Sequence, residues 1–302
     1  MAPRSRTTRR VRRGTAVHSP RGDSPTLEFA GFGAASALWS ARVIDDLVYD
    51  VGMNNGDDTA HYLRRGFRVV GVEANPLLAE MCASRFRDEV SAGRLTIVAG
   101  GIAAKAGRST FWVNDEVSDF SAFDRDAGCR DGMPCHPIEV PCVPFDDVLA
   151  EHGMPYYLKV DIEGNDGLCL DALNPGYRPA VISIEAHRLN YLVRLQELGY
   201  ARFRCVDQSM HNAPRFAHVP NSSPPHVLAR WASTHWMWIR HRLPGISSVP
   251  EFPGGSSGPI PDPDAGDWRS FDEVAFDWLA MTVGRHRAST LSRRHWFDFH
   301  AC

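Results

Sequence analysis

The stretch that decides the fold is LVYDVGMNNGDD, residues 47–58. An apolar run typical of a buried strand leads into two glycines, Gly52 and Gly56, and then into residues with helical periodicity. A second strand signal covers residues 67–72 and ends at the acid Glu73. Strand, glycine turn, helix, strand and acid in this order are typical of a nucleotide-type site. In such a site the glycines let the backbone approach the ligand, and the acid accepts the two hydroxyls of a ribose.

The glycine spacing favours an adenosyl cofactor over a dinucleotide. A dinucleotide fingerprint requires G-x-G-x-x-G, with the pyrophosphate on the helix N-terminus, whereas only Gly52 and Gly56 are present here, with three residues between them. Asp57 and Asp58 follow in the first helical turn, where they suit the helix dipole but would repel a pyrophosphate. S-adenosylmethionine carries no phosphate, and its sulfonium and ammonium groups fit an acid-rich turn around Asp50. A strand–turn–helix unit that binds no ligand is the alternative.

Composition indicates an ordinary globular chain with a basic N-terminal segment. The 302 residues are 43% hydrophobic and 23% charged, and no run approaches the ~18 apolar residues of a membrane span. The first 25 residues contain seven arginines and one acid, which predicts a disordered tail. The remaining chain has 26 basic and 35 acidic residues, a formal charge of −9, and this argues against a nucleic-acid partner. No apolar stretch follows the basic start as it would in a secretory signal, so we expect a cytoplasmic protein.

The cysteines and lysines carry two further expectations. Seven cysteines are present, without a C-x-x-C pair, and the spacing of Cys129, Cys135 and Cys142 matches no zinc pattern. Free thiols in a reducing compartment are therefore predicted. Only two lysines, Lys105 and Lys159, occur beside 31 arginines, and Lys159 lies inside an apolar strand signal.

Strand and helix signals alternate between residues 47 and 206, which predicts an open, mostly parallel sheet covered on both faces. Predicted strands are 48–51, 68–73, 95–99, 110–113, 138–143, 156–162, 180–186 and 200–206, and predicted helices are 57–65, 76–89, 146–152, 165–173 and 187–198. The pattern weakens after about residue 209, although residues 227–240 and 271–283 read as helices and residues 294–301 as a final strand. We therefore divide the chain into a disordered tail (1–25), a cofactor-binding core (26–210) and a C-terminal elaboration (211–302). The elaboration would complete the sheet and form the acceptor site.

Four motifs in this order resemble the FkbM-type S-adenosylmethionine-dependent methyltransferases. They are YDVGMNNG (49–56), VEANP (72–76), LKVDIEG (158–164) and IE (184–185). The resemblance covers roughly residues 47–206 and implies an α/β class I methyltransferase fold. That fold is Rossmann-like, with a mostly parallel seven-stranded sheet, one antiparallel edge strand and helices on both faces. The chain departs from the family pattern at Met53, where alanine is usual, and at Ala74, where proline is common.

The resemblance also implies an activity and a set of binding residues. The cofactor would be S-adenosyl-L-methionine, and the methyl group would pass to a hydroxyl of a small molecule or sugar. The implied cofactor-binding residues are Asp50, Gly52, Asn54, Gly56, Glu73, Ala74, Asn75 and Asp161. Asp50 and Gly52 would hold the methionine end and Glu73 the ribose, while Ala74 and Asn75 would lie beside the adenine.

Four residues are candidates for the chemistry: Lys159, Asp161, Glu163 and His187. In a strand, the first three project to one side, and two carboxylates with an ammonium are costly to bury unpaired. Asp161 or Glu163 is a candidate general base for a substrate hydroxyl, its pKa raised by the other carboxylate. A structural ion pair that caps the strand is the alternative. His187 is a candidate to take a proton or orient the substrate. The alternative is that it is an ordinary surface histidine beside Arg188, without a role in the reaction.

Competing functions remain open from the residues alone. We predict no metal site. The alternative is a metal-assisted methyltransferase that would use Asp161, Glu163 and Glu185 as oxygen ligands. His295 and His300 flank Asp298, which is a second candidate ligand set. A non-catalytic adenosyl-binding or scaffold module is the alternative from another class. Three tryptophans are predicted to form core or a substrate lid: Trp231, Trp236 and Trp238.

Overall fold

The computed structural model describes residues 42–208, 257–285 and 297–302. The arginine-rich tail, the predicted helix at residues 227–240 with its three tryptophans, and His295 lie outside these residues. The helices and strands, in chain order, are β1 (Ile44–Val51), α1 (Asp57–Arg64), β2 (Arg68–Glu73), α2 (Pro76–Arg85), α3 (Arg87–Ser91), β3 (Leu95–Ala99), β4 (Gly101–Ile102), β5 (Gly107–Asn114), α4 (Arg125–Gly128), β6 (Cys135–Val143), α5 (Phe145–His152), β7 (Pro155–Val160), α6 (Asp166–Asp171), β8 (Val181–Glu185), α7 (Leu189–Glu197), β9 (Phe203–Asp207), α8 (Phe271–Arg285) and β10 (Phe297–Ala301).

The central sheet is an α/β arrangement of seven strands in the order β3-β2-β1-β7-β8-β10-β9. The neighbours from β3 to β8 run parallel, whereas β10 pairs antiparallel with both β8 and β9. The sheet is therefore mixed. We expected the antiparallel strand at the edge of the sheet, but it lies second from the edge. The chain passes from β8 through the crossover helix α7 to β9, and β10 then enters between these two strands.

Helices cover both faces of this sheet. Buried side chains of α1 and α2 pack with Val48 and Tyr157 on one face, and those of α5, α6 and α7 pack with Tyr49 and Leu158 on the other. Local signals explain the helix starts: Asn75 accepts a hydrogen bond from the amide of Leu77 and a proline opens α2, as the sequence predicts. No helix among the described residues has the length and apolar character needed to cross a bilayer.

The end of β7 differs from the sequence prediction. The strand stops at Val160, so Asp161 and Glu163 lie in the turn that follows it. Glu163 has a left-handed backbone, with φ of 52°, and this removes the strand alternation that would have placed Lys159, Asp161 and Glu163 on one side. The turn is held by the carboxylate of Asp166, which accepts hydrogen bonds from the amides of Ile162 and Gly164.

A small second sheet, in the order β4-β6-β5, follows the third strand of the central sheet. Its apolar face buries Phe111, Val140 and Cys142. The connection between β5 and β6 contains two 3₁₀ turns, Ser118–Phe120 and Arg130–Gly132, and the short helix α4. We call this connection, residues 115–134, the β5–β6 loop. Its last part is tied back to β6 by a disulfide between Cys129 and Cys135.

The disulfide corrects the expectation that all seven cysteines are free. Cys129 and Cys135 are six positions apart, a spacing that matches no metal motif, and only the fold of the β5–β6 loop brings their sulfurs together. The other five cysteines are free: Cys82, Cys142, Cys169, Cys205 and Cys302.

A thiol count tests this pairing. Unfolded in denaturant without reductant, the chain should react with Ellman's reagent at the five free cysteines, and after full reduction at all seven. Opening so short a loop should lower the free energy of unfolding by about 2 kcal/mol. Seven reactive thiols before reduction would show that the pair is not formed in the protein.

Candidate functional site

A cavity of about 370 Å³ opens at the carboxyl ends of β1, β2 and β7, where open α/β sheets bind their ligands. Its volume falls within the range of about 300–1,000 Å³ that is usual for small-molecule sites. The turn after β1, the end of β2, the turn after β7 and the β5–β6 loop supply most of its wall. The sequence motifs thus converge on one place.

The two glycines of the first turn are required by packing within the chain. Gly52 has φ of 88°, and a Cβ there would lie 1.8 Å from the carbonyl oxygen of Asp161. Gly56 has φ of 80°, and a Cβ there would lie 2.6 Å from the ring of Phe86. Gly52 lines the cavity and Gly56 does not. Close approach of two chain segments therefore requires glycine at both positions.

A buried ion pair holds the Gly52 turn in place. The Lys159 ammonium donates to the carbonyl oxygen of Gly52 at 2.7 Å and lies 3.0 Å from Asp50 Oδ1. The other oxygen of Asp50 accepts a hydrogen bond from the Thr59 hydroxyl at 2.6 Å. Burial opposes the charge on Lys159, but Asp50, Asp161 and Asp58 outweigh it and raise the pKa of Lys159. Lys159 is therefore a charged anchor, and Asp50, fully buried, acts on the cavity through it.

Glu73 presents its carboxylate at the end of β2. One oxygen accepts from the amide of Asn54 at 2.7 Å and the other from the amide of Asn75 at 2.8 Å. Only 7% of the residue is exposed, and it lines the cavity. Burial raises the pKa of Glu73 to about 7, against the opposing effect of the two amide hydrogen bonds and of Lys159. Glu73 is a preorganised acceptor whose charge changes near neutral pH.

An apolar region lies beside Glu73 in the same cavity. The lining here includes Ala74 just after β2, Gly101 and Ile102 of β4 in the second sheet, and two aromatic rings from β5 and the β5–β6 loop. Phe111 and Phe123 meet edge to face with ring centroids 5.1 Å apart. A flat, apolar group such as a purine fits this surface.

Acidic groups gather on the opposite side, around the turn after β7. Asp161, Glu163 and Glu185 all line the cavity. Burial and then Glu185 raise the pKa of Asp161, while burial and then Glu163 raise the pKa of Glu185. Burial also raises the pKa of Glu163, although a hydrogen bond from the Arg130 guanidinium opposes this. His187 places Nε2 2.8 Å from Oε2 of Glu185. The arrangement can accept protons or bind a cation.

The structure brings most of the predicted site residues to one cavity. The predicted residues that line it are Gly52, Asn54, Glu73, Ala74, Lys159, Asp161 and Glu163. Four others do not line it. Asp50 and Gly56 support the first turn from behind, Asn75 caps α2 while its amide holds Glu73, and His187 contacts the site through Glu185.

Sequence reasoning missed the contribution of the β5–β6 loop and the β9 end. Asp119 accepts a hydrogen bond from the Asn54 side chain, Arg130 binds Glu163, and Gln208 lines the cavity while donating to Asp298 at 2.6 Å. No motif marks these positions. The only signal in the sequence was the long interruption between two strand patterns, which is typical of a functional loop.

Comparison with known proteins identifies the family. The model of the family described as "Methyltransferase FkbM domain" matches residues 50–219, more than half of the chain. A search of curated proteins finds no match.

Solved structures that are similar to this chain include S-adenosylmethionine-dependent methyltransferases in complex with S-adenosyl-L-homocysteine. The one from Thiobacillus denitrificans is 12% identical, with a TM-score of 0.31, and 86% of each chain is covered. The one from Geobacter sulfurreducens is 13% identical, with the same TM-score and coverage. At these scores the likeness carries no argument about the site. The family match agrees with the four motifs, which surround one cavity, and the chain belongs to the FkbM methyltransferase family as an S-adenosylmethionine-dependent methyltransferase.

Proposed function

We propose that this enzyme methylates a hydroxyl oxygen of a small molecule or sugar. The observation that carries the proposal is the group of carboxyl side chains that line the cavity at the ends of β7 and β8, Asp161, Glu163 and Glu185, separated by β1 from Glu73 at the end of β2. A hydroxyl must lose its proton as the methyl group arrives, whereas a neutral amine needs no base before attack. A cavity wall rich in proton acceptors therefore suits an oxygen acceptor.

The residues of the cavity fit the cofactor. Glu73 would accept the ribose hydroxyls, the surface around Ala74 and Phe123 would hold the adenine, and the turn at Gly52 and Asn54 would face the methionine end. When bound, S-adenosylmethionine supplies an electrophilic methyl group, and the C–S electron pair stays on sulfur as the new O–C bond forms. The protein supplies position, exclusion of water and a proton acceptor.

Asp161 is the proton acceptor that the geometry favours. Glu163 is engaged by the guanidinium of Arg130, whereas Asp161 lines the cavity and interacts with Lys159 and Glu185. No ion pair of Asp161 is found among the described residues. His187 would orient the acceptor side of the site through Glu185. Lys159 is a positioning residue, since its ammonium is committed to Gly52 and Asp50.

The C-terminal elaboration, residues 211–302, is part of the same proposal. Its described segments reach the site: the amide of Ser257 donates to Asp58 at 3.2 Å, next to the Lys159 anchor, and Asp298 of β10 binds Gln208 in the cavity wall.

We place the enzyme in the cytoplasm because five of its seven cysteines are free. The disulfide between Cys129 and Cys135 favours an oxidising compartment, and the thiol count in extracted protein would decide between the two.

Replacing Glu73 by alanine should weaken binding of S-adenosylhomocysteine roughly tenfold to a hundredfold. Hydrogen bonds to a charged group contribute about 1.5–3 kcal/mol, and this variant removes both oxygens that would accept the ribose hydroxyls. Titration calorimetry measures the change, with Glu80→Ala on the exposed side of α2 as the control. An unchanged dissociation constant would remove Glu73 from the cofactor site.

The same group gives binding a characteristic pH dependence. The pKa of Glu73 is about 7 in the free protein, above its ordinary value of 4.5, so the carboxylate that binds hydroxyls forms only as the pH rises through about 7. Affinity should therefore be full above this pH and be lost as the pH falls through it. Stability without cofactor has the opposite sign: the contribution of Glu73 is full below its unfolded pKa and is lost as the pH rises through about 7. Glu73→Ala should abolish the affinity trend and reduce the stability trend, which the raised pKa values of Asp161, Glu163 and Glu185 would maintain in part.

Acceptor screening tests the reaction itself. The full chain is incubated with methyl-labelled S-adenosylmethionine and pools of hydroxylated small molecules and sugars, and the labelled product is examined by NMR. A methyl resonance on oxygen is the expected result. Labelling of nitrogen, carbon or sulfur alone would contradict the proposal while leaving the methyltransferase assignment intact.

A further inference from the structure

The geometry points to a divalent cation site formed by Glu163, Glu185 and His187, beside the position proposed for the acceptor. This inference deepens the proposed hydroxyl methylation and rests on it for the role of the ion, although not for its binding. One ligand atom from each of the three side chains lies within 4.8 Å of the other two. Two carboxylates and one imidazole are ligand types that divalent ions such as Mn²⁺ accept.

Two segments of the chain, which follow the neighbouring strands β7 and β8, bring these ligands together. Glu163 comes from the left-handed turn after β7, Glu185 is the last residue of β8, and His187 follows before α7 begins. Glu163 and Glu185 line the cavity. An ion at this point would keep coordination positions open toward the cavity, as a catalytic site needs.

The buried carboxylate of Glu185 supplies an independent reason to expect a ligand. Only 4% of Glu185 is exposed, and its Oε2 accepts no hydrogen bond from the residues that the structure describes. Nε2 of His187 lies 2.8 Å from this oxygen and belongs to the same cluster, and the Asp161 side chain also interacts with Glu185. A buried carboxylate oxygen without a well-aligned donor is costly, and a cation between Glu185 and His187 would remove that cost.

The charges around the cluster favour a cation. Carboxyl groups that act electrostatically on Glu185 or Asp161 include Glu163, Asp166 and Asp298. The cations facing them are Lys159, which is anchored elsewhere, and Arg130 on Glu163. The guanidinium of Arg130 donates a hydrogen bond to Oε2 of Glu163. It would therefore compete with the ion for this carboxylate and lower the affinity of the site for the ion.

The ligand set differs from the oxygen-only set considered from the sequence. His187 takes the place of Asp161, which is left free of the ion to receive a proton. A cation bound to the acceptor oxygen makes its hydroxyl more acidic, and the proton would then pass to the carboxylate of Asp161. The acceptor would accordingly be a molecule that presents a hydroxyl to a divalent ion.

Manganese binding to the full chain tests the site without any acceptor or turnover. Protein stripped with a chelator is titrated with Mn²⁺, and the signal of free Mn²⁺ is followed by electron paramagnetic resonance. Wild-type protein should show a single saturable site. Glu185→Gln should weaken it by at least about tenfold, the loss that even outer-shell substitutions cause. Glu197→Gln, an exposed glutamate on α7, should bind Mn²⁺ as wild type does.

Two further measurements keep the outcomes separate. His187→Gln, at an exposed position, should show the same weakening if Glu185→Gln fails to fold, and S-adenosylhomocysteine binding and a thermal melt confirm that each variant is folded. Absence of a saturable site in wild type, or equal affinity in Glu185→Gln and Glu197→Gln, would overturn the inference. Because no acceptor is present, that result would leave hydroxyl methylation standing, and an O-methyl product would not rescue the metal site.

Discussion

Lys159→Met should lower the free energy of unfolding by about 3–5 kcal/mol, the loss typical when one partner of a buried ion pair is removed. Lys159 is only 4% exposed, and its ammonium is the cation that pairs with Asp50 and holds the carbonyl of Gly52. Methionine fills a similar volume but leaves the Asp50 carboxylate buried, with the Thr59 hydroxyl as its one remaining side-chain donor among the described residues. Chemical denaturation followed by circular dichroism measures the change.

The chain offers a matched control for this substitution. Lys105 is the only other lysine, and it is exposed, so Lys105→Met should change stability by less than about 0.5 kcal/mol. Adding Asp50→Asn to Lys159→Met should recover part of the loss, because the double variant no longer buries an unpaired charge. If Lys159→Met were no more costly than Lys105→Met, the ion pair would not be the anchor of the Gly52 turn.

Asp161→Asn should lower turnover by about 10²–10⁴-fold, the usual contribution of a positioned proton acceptor. Asparagine keeps the shape of the side chain and its place in the cavity wall, so binding of S-adenosylhomocysteine should change much less than the rate. Turnover is measured with an acceptor found in the labelled screen, and affinity by calorimetry.

The control for this rate effect is Asp171→Asn, an exposed position at the end of α6. That variant should keep wild-type turnover and stability. A different result would favour the structural interpretation of the acidic cluster: if Asp161→Asn lost stability and activity in equal measure, Asp161 would be part of an ion pair that caps β7 rather than a base.

The alternating core was predictable because strands buried on both faces leave strong apolar runs in the sequence. Residues 68–73 and 95–99 were placed correctly as β2 and β3, and the last strand was found near residues 294–301, where β10 spans Phe297–Ala301. Motif spacing also led to Glu73 and Asp161, since the carboxyl ends of parallel strands meet at one edge.

The remaining features depend on contacts that no local pattern records. The sequence of β10 predicts a strand but does not indicate which strands it pairs with, so its position between β8 and β9 could not be predicted. The pairing of Cys129 with Cys135 and the reach of Arg130 to Glu163 depend on how an irregular loop folds over the cavity. The glycines also meet a requirement that the motif does not show, because the carbonyl of Asp161 and the ring of Phe86 exclude a side chain there.

The insertion of β10 between β8 and β9 has a consequence for biosynthesis. β8 and β9 are not hydrogen-bonded to each other, and each completes its pairing only with residues 297–301. During translation the nascent chain therefore exposes one unpaired edge of β8 and one of β9 until residues 297–301 leave the exit tunnel of the ribosome. Contacts of such large sequence separation form slowly, and open edges in the waiting chain invite aggregation or chaperone capture.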